Sequence, residues 1–223
     1  RKKSENNKLS KTATDLYKSS IEKSISILSE YHDVSFRKDA YLVIIKSYFF
    51  IGEYKEANLA ITSMQEEFNN EEILEIAYWS ALIKWKEGRA QPAINALINL
   101  LEDDIDISLQ SKIYLSIAEI YFEQNLNEKS MDYLELAAQK IKERSEKDQI
   151  YYRIAELSFR QEDYSRSLTA YKEVIKNTQI KSRQQLSNLK IVQIYRFQKK
   201  YDMASTSIKN MLLDDNYQSI YAA

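Results

Sequence analysis

Apolar and polar positions between Asp39 and Phe68 keep a helical beat on both sides of a single glycine. Before Gly52, Tyr41, Ile44, Ile45 and Tyr48 recur every three or four residues; after it, Ala57, Ile61 and Met64 do the same. That is the spacing of one face of an α-helix. The stretch predicts two short helices folded back on each other, an αα-hairpin, with Tyr54 wedged between them and Ala57 small enough to let the backbones approach. A hairpin of this size cannot bury both its faces alone, so neighbours of the same kind are expected.

They follow at once. The small residue at Ala57 recurs as Ala93, Ser130, Ser167 and Ala204, at spacings of 36, 37, 37 and 37 residues, a period regular enough to define an internal repeat. Twelve residues before the small one stand Ile45, Ala81, Ala118, Ala155 and Val192. Four after it, where a bulky side chain should dock, stand Ile61, Leu97, Leu134, Tyr171 and Ile208. Three before it, Tyr54, Tyr164 and Tyr201 keep the wedge tyrosine, which Ala90 and Asn127 replace. Upstream, a helical pattern begins at Ala13, with Leu16, Tyr17, Ile21, Ile25 and Leu28 on one face, and ends at Tyr31, His32 and Asp33. It reads as the tail of a leading repeat acting as a cap. Residues 1–12 read as a frayed start, 13–213 as a repeat domain of about five hairpins plus the leading partial one, and 214–223 (DDNYQSIYAA) as the opening of a further, truncated repeat.

Composition narrows the picture. A chain of 223 residues that is 44% hydrophobic and 29% charged is expected to fold rather than remain disordered. Two glycines and one proline leave little room for β-hairpins and favour helices joined by tight turns; Pro92 falls in the first turn of a second helix, where its missing N–H is tolerated. The 32 basic and 33 acidic side chains nearly cancel, so no field is available to hold a polyanion and nucleic acid is not an expected partner. Zero cysteines exclude disulfides, thiolate catalysis and cysteine metal sites in this stretch. The longest apolar run, Tyr41 to Ile45, is far short of the roughly 20 residues that span a bilayer, so no transmembrane segment is expected. The chain starts at Arg1 without a visible signal peptide and is expected to be a processed or excised fragment, with any lipid anchor lying outside it.

The order aromatic, small, aromatic, turn, small, aromatic resembles the tetratricopeptide repeat (TPR). Its best matches here are Tyr114, Ile117, Ala118 and Tyr121 leading to Ser130, Leu134 and Ala137, and Tyr151, Ile154 and Ala155 leading to Tyr164, Ser167 and Tyr171. The period exceeds the family's usual length of about 34 residues, and the closing proline is absent. The resemblance implies an all-α fold, a right-handed superhelical solenoid of helical hairpins with first helices lining a concave face. Lysines and asparagines that would make a chaperone carboxylate clamp are replaced by Leu42 and Lys46, leaving only Lys112, so that use is not expected. More narrowly, residues 29–57 (SEYHDVSFRKDAYLVIIKSYFFIGEYKEA) are similar to the first full repeat of bacterial outer-membrane lipoproteins of the BamD type and of the type IX secretion apparatus. In those, a pair like Asp39 and Ala40 opens a helix that ends in a turn like Gly52, Glu53 and Tyr54. This resemblance implies a periplasmic, outer-membrane-associated scaffold in an assembly or secretion complex. A cytoplasmic adaptor, or a regulatory or substrate-recruiting domain of a larger enzyme, is the alternative.

On that architecture the concave positions are Leu42, Tyr78, Leu115 and Tyr152 in one row, Lys46, Leu82, Glu119 and Glu156 in the next, and Phe49, Trp85, Phe122 and Phe159 in a third. The aromatic row has two readings, packing between repeats or a groove of anchors for an apolar or amphipathic protein segment. Protein partners in a multiprotein complex are expected, and no small-molecule substrate, cofactor or metal. Catalysis has no candidate residues: His32 stands alone at a turn, and Gly52 and Gly88 are isolated turn residues rather than a phosphate loop. Glu66 and Glu67 read as solvated charge at a helix end, and the basic runs Lys140 to Lys147 and Lys176 to Arg183 as solvated helix faces.

Overall fold

The computed structural model describes residues 11–69 and 74–213, and the described residues contain helices and turns but no strand. In chain order they form α1 (Lys11–Glu30), α2 (Val34–Ile51), α3 (Tyr54–Glu67), α4 (Leu74–Lys86), α5 (Ala90–Asn99) with a 3₁₀ turn at Leu100–Glu102, α6 (Ile107–Glu123), α7 (Asn127–Lys140), α8 (Arg144–Arg160), α9 (Tyr164–Asn177), α10 (Lys181–Phe197) and α11 (Tyr201–Leu213). The segments 1–10 and 214–223, read above as a frayed start and a truncated repeat, lie outside the described residues.

Every hairpin turns by the same backbone device. Gly52, Gly88, Asn125, Glu162 and Lys199, each five residues before the small position, have φ of 86°, 86°, 60°, 62° and 58°. In this left-handed conformation the residue's own N–H reaches back to one carbonyl and the next N–H to another. Glu162 donates to Phe159 at 3.1 Å and Asp163 to Ser158 at 3.0 Å; Gly52 and Glu53 do the same to Phe49 and Tyr48 at 3.1 and 2.9 Å. Two otherwise orphaned helix-end carbonyls are thereby satisfied. Aspartates serve the other ends: Asp33, Asp106 and Asp163 accept backbone N–H bonds as N-caps of α2, α6 and α9.

The helices of each hairpin touch at the small residue. Ala57, Ala93, Ser130, Ser167 and Ala204 are all buried. Where serine replaces alanine, its hydroxyl ties the helices together: Ser130 Oγ donates to the Ala118 carbonyl at 2.8 Å and Ser167 Oγ to the Ala155 carbonyl at 2.9 Å. The acceptors are the residues twelve positions earlier, which with Ile45, Ala81 and Val192 form a wholly buried row.

The chain divides into two compact units, Arg1–Ile105 and Asp106–Ala223. In the first, α1 packs on α2, α2 on α3, α3 on α4 and α4 on α5, enclosing Ile45, Met64, Ile83, Ile94 and Leu97. In the second, the pairs α6–α7 and α8–α9 pack through α7 on α8, and α9 packs on α10, around Met131, Leu134, Ile154, Tyr171 and Ile194. The α10–α11 pair adds a smaller cluster of Val192, Ala204 and Met211.

Several expectations are corrected. The first helix starts at Lys11 rather than Ala13, and of its supposed apolar face Ile21 is buried while Leu16 and Ile25 are 65% and 51% exposed. Asp39 does not open a helix: α2 begins at Val34 because Asp33 caps it, leaving Asp39 inside the helix. Tyr201 is not wedged, at 65% exposure, and Ile208 is 42% exposed where its four counterparts are buried. Glu67 is not merely solvated. It accepts from Arg37 Nη2 at 2.7 Å and from the Tyr41 hydroxyl at 2.9 Å, and the Arg37 hydrogen bond, with help from Tyr41, holds its carboxyl below the usual carboxylate range.

Candidate binding groove

Within each unit the first helices carry a ladder of side chains that joins one hairpin to the next. In the second unit, Arg153 of α8 lies over the ring of Phe122 on α6, 4.8 Å from its centroid, and pairs with Glu119 at 2.5 Å. One repeat later Lys190 of α10 lies over Phe159 at 4.6 Å and pairs with Glu156 at 3.5 Å. Cation over ring and cation against carboxylate thus recur in register. In the first unit the equivalent place is taken by Trp79, whose ring meets Phe49 edge-on at 5.2 Å, while Lys46 pairs with Glu75 at 2.6 Å. The rings are further enclosed by their own hairpins, Phe49 by Tyr54 and Phe159 by Tyr164, and Phe159 also meets Phe197 of α10.

Under the second ladder, the hydroxyl of the fully buried Tyr171 donates to Glu156. Burial, reinforced by that carboxylate, pushes the Tyr171 phenol far above the usual tyrosine range. Tyr152 meets Tyr171 edge-on and lies beneath Arg183, which is paired with the buried Asp148. Burial raises the Tyr152 phenol as well, Glu156 adding to the shift and Arg183 opposing it.

The twelve expected concave positions therefore divide. Tyr78 and Leu82 are buried and present no surface, because α4 is apolar on most sides. Lys46, Glu119 and Glu156 have their charges met by neighbouring hairpins. Phe49, Phe122 and Phe159 are half-buried in the ladder, and Trp85, also half-buried, carries Lys86 over its ring at 3.3 Å. Leu42 and Tyr152 are half-buried.

Leu115 differs, because it forms part of a groove. A cavity of about 740 Å³ opens between the N-terminal halves of α6 and α8, closed at one side by the connection from α7. Leu115, Leu134, Ile141 and Ile150 make its apolar lining, and Lys112, Lys140, Lys142 and Arg153 its cations. Arg153 is already engaged by Glu119 and Phe122. The three lysines have no carboxylate partner among the described residues. Lys112 and Leu115 were legible from the repeat register. Lys140 ends α7 and Lys142 lies in the connection after it, where the basic run looked like a solvated face; its sequence holds no sign that these lysines line a cavity with Leu115 and Leu134.

This geometry of repeated helical hairpins places the chain among TPR-type helical-repeat proteins. The chain belongs to the soluble NSF attachment protein family, SNAP, whose sequence pattern matches residues 51–191. Among solved structures it is similar to BtubC (BKLC) from P. vanneervenii, at 12% identity over 89% of this chain and 88% of that one with a TM-score of 0.60. It is likewise similar to the C-terminal part of a TPR repeat-containing protein from Cytophaga hutchinsonii, at 14% identity, 89% and 76% coverage and a TM-score of 0.59. A third such structure is pilF of Pseudomonas aeruginosa, at 11% identity, 95% and 99% coverage and a TM-score of 0.54. Likeness at this identity carries the fold. No curated protein sequence matches the chain.

Proposed function

We propose that this chain is a protein-binding scaffold that holds a segment of a partner in the groove between α6 and α8. The observation that carries the reading is the groove itself. It is an aliphatic trough left open between two first helices whose other facing residues are locked to each other by the Phe122, Arg153 and Glu119 contacts. A rigid wall beside an unfilled apolar trough suits capture of a chain segment, which gains affinity from preorganisation. The family's name, soluble NSF attachment protein, describes proteins that attach to another protein and supports the same direction.

The test compares partners captured by the intact protein and by Leu115→Gln. Leu115 is half-buried at the groove wall, so the variant should keep its helical circular dichroism while losing the groove-dependent partner. Retention of every partner by a folded Leu115→Gln protein contradicts the reading.

The likeness of residues 29–57 to repeat lipoproteins extends the proposal to compartment. On this reading the scaffold serves a bacterial outer-membrane assembly or secretion complex from the periplasmic side, tethered by a lipid. Fractionation of the native protein tests this, and recovery in the cytosol contradicts it.

A further inference from the structure

Independently of the α6–α8 groove, we propose that the exposed face of α11 pairs antiparallel with the same face of a second copy of this chain, forming a two-fold dimer. Four positions make that face. Tyr201, Ser205, Ile208 and Leu212 follow one another at intervals of four, three and four residues, the spacing of a coiled-coil seam along one side of a helix. Tyr201, Ile208 and Leu212 are 65%, 42% and 50% exposed, while Ala204 and Met211, on the adjoining side, hold α11 against α10. The same face is covered on other second helices. In α7 it holds Met131, Leu134 and Ala138, all buried, and α8 packs on that helix. In α9 it holds Leu168, Tyr171 and Ile175, buried or half-buried, and α10 packs there. A stripe of this kind is made to lie against another helix. Because α8 and α10 follow through short connections, each runs antiparallel to the helix it covers.

Charge identifies the covering helix as another α11. Asp202 and Lys209, both exposed, directly follow the seam residues Tyr201 and Ile208 and stand seven residues apart, so they share one flank of the seam, the one opposite Ala204 and Met211. Helices related by a two-fold axis across such a seam run antiparallel and bring this flank against its own copy. Asp202 then meets Lys209 of the second copy, and Lys209 meets Asp202 of the second copy, an attraction made twice. A parallel pair would set aspartate against aspartate and lysine against lysine. Ser205, the smallest residue of the seam, falls beside the axis, where the two backbones come nearest. It does there what Ala57 and its counterparts do at the crossing inside each hairpin. The seam covers only about three turns of helix, so the interface is small and the expected affinity is about micromolar rather than nanomolar.

Sedimentation velocity of the intact protein tests this between about 1 and about 200 µM, a range that brackets such an affinity. The mass should pass reversibly from one chain to two. Ile208→Glu, a change at an exposed position, should leave the circular dichroism unaltered and weaken association at least about tenfold, since it places a charge in the seam. Asp202→Lys and Lys209→Asp should each weaken association about tenfold, because like charges then face each other twice across the axis. Mixed in equal amounts, these two variants should form a heterodimer as readily as the wild type dimerises, because every facing pair is again of opposite charge. A protein that stays monomeric across the range, its α11 face taken by a different helix, overturns the proposal. So does a dimer indifferent to Ile208→Glu. A dimer lost with Ile208→Glu but indifferent to both charge variants overturns it as well, because the two faces would not then meet antiparallel.

Discussion

Ser167 donates its buried hydroxyl to the carbonyl of Ala155, 2.9 Å away, where α9 crosses α8. Ser130 makes the same bond to Ala118, whereas Ala57, Ala93 and Ala204 make the crossing without one. The bond is an addition to a contact that size alone permits. Ser167→Ala should therefore cost about 1 kcal/mol, the ordinary net worth of one intramolecular hydrogen bond. Ser167→Leu, which forces the helices apart, should cost more, about 2–3 kcal/mol. Urea denaturation of both variants checks the order, and a Ser167→Ala loss as large as that of Ser167→Leu would mean that the hydroxyl holds the crossing.

The left-handed turn residues give a prediction with opposite signs at equivalent sites. Glu162 and Lys199 hold φ near 60° with a Cβ attached, while Gly52 holds 86° without one, and a Cβ built there meets nothing within 4 Å. Conformational strain alone is at issue, at about 1 kcal/mol per position. Glu162→Gly should raise stability by somewhat less than this, because glycine also gains freedom in the unfolded chain, and Gly52→Ala should lower it by about 1 kcal/mol. Thermal melts decide it: a stabilising Gly52→Ala would contradict the account.

Alkaline pH should unfold the second unit through Tyr171. Its phenol is raised above the free value, so the neutral form is favoured in the folded state. The stability this contributes is fully present below the unfolded value of about 10 and is lost as pH rises beyond it. Tyr171→Phe should lose about 1 kcal/mol at neutral pH, because the hydroxyl's bond to Glu156 is gone. It should also lose less stability than wild type between pH 10 and 12. Parallel pH slopes for the two proteins would show that Tyr171 does not titrate on unfolding.

The ladder predicts coupling between hairpins. Phe159→Leu removes the ring that Lys190 covers and that Phe197 packs against, and should cost about 1–2 kcal/mol, less than a fully buried aromatic loses. Lys190→Met should cost less in the Phe159→Leu background than alone, since the cation–ring contact is already gone. Strict additivity in the double-mutant cycle would mean that Lys190 and Phe159 are neighbours without interaction.

How much of this could be read in advance depended on what each position demands. The small-residue row and the buried row twelve before it were visible because helix crossing tolerates only compact side chains, and their spacing survives every substitution. The recurring turn was visible at Gly52 and Gly88 alone, since Asn125, Glu162 and Lys199 adopt the same backbone without announcing it. The start of α2 was misplaced because the resemblance opened the helix at Asp39 and Ala40, whereas Asp33 is the residue whose carboxylate meets the N–H groups of Ser35 and Phe36. Of the candidate site, Leu115 was within reach of the repeat register. The fate of Glu119, Glu156, Phe122 and Phe159 was not, because it depends on Arg153 and Lys190, which belong to the following hairpins and sit outside the rows chosen. Exposure of Ile208 likewise depends on what packs against α11.

The most direct test of the account replaces Leu115 by a photo-crosslinking amino acid in the full chain, in its native host, with Leu59 as control. Leu59 lies on the second helix α3 and is 66% exposed, far more open to chance collision than Leu115. The account predicts that residue 115 crosslinks to a discrete partner segment, while residue 59 does not. Crosslinking from 59 with none from 115 would contradict it.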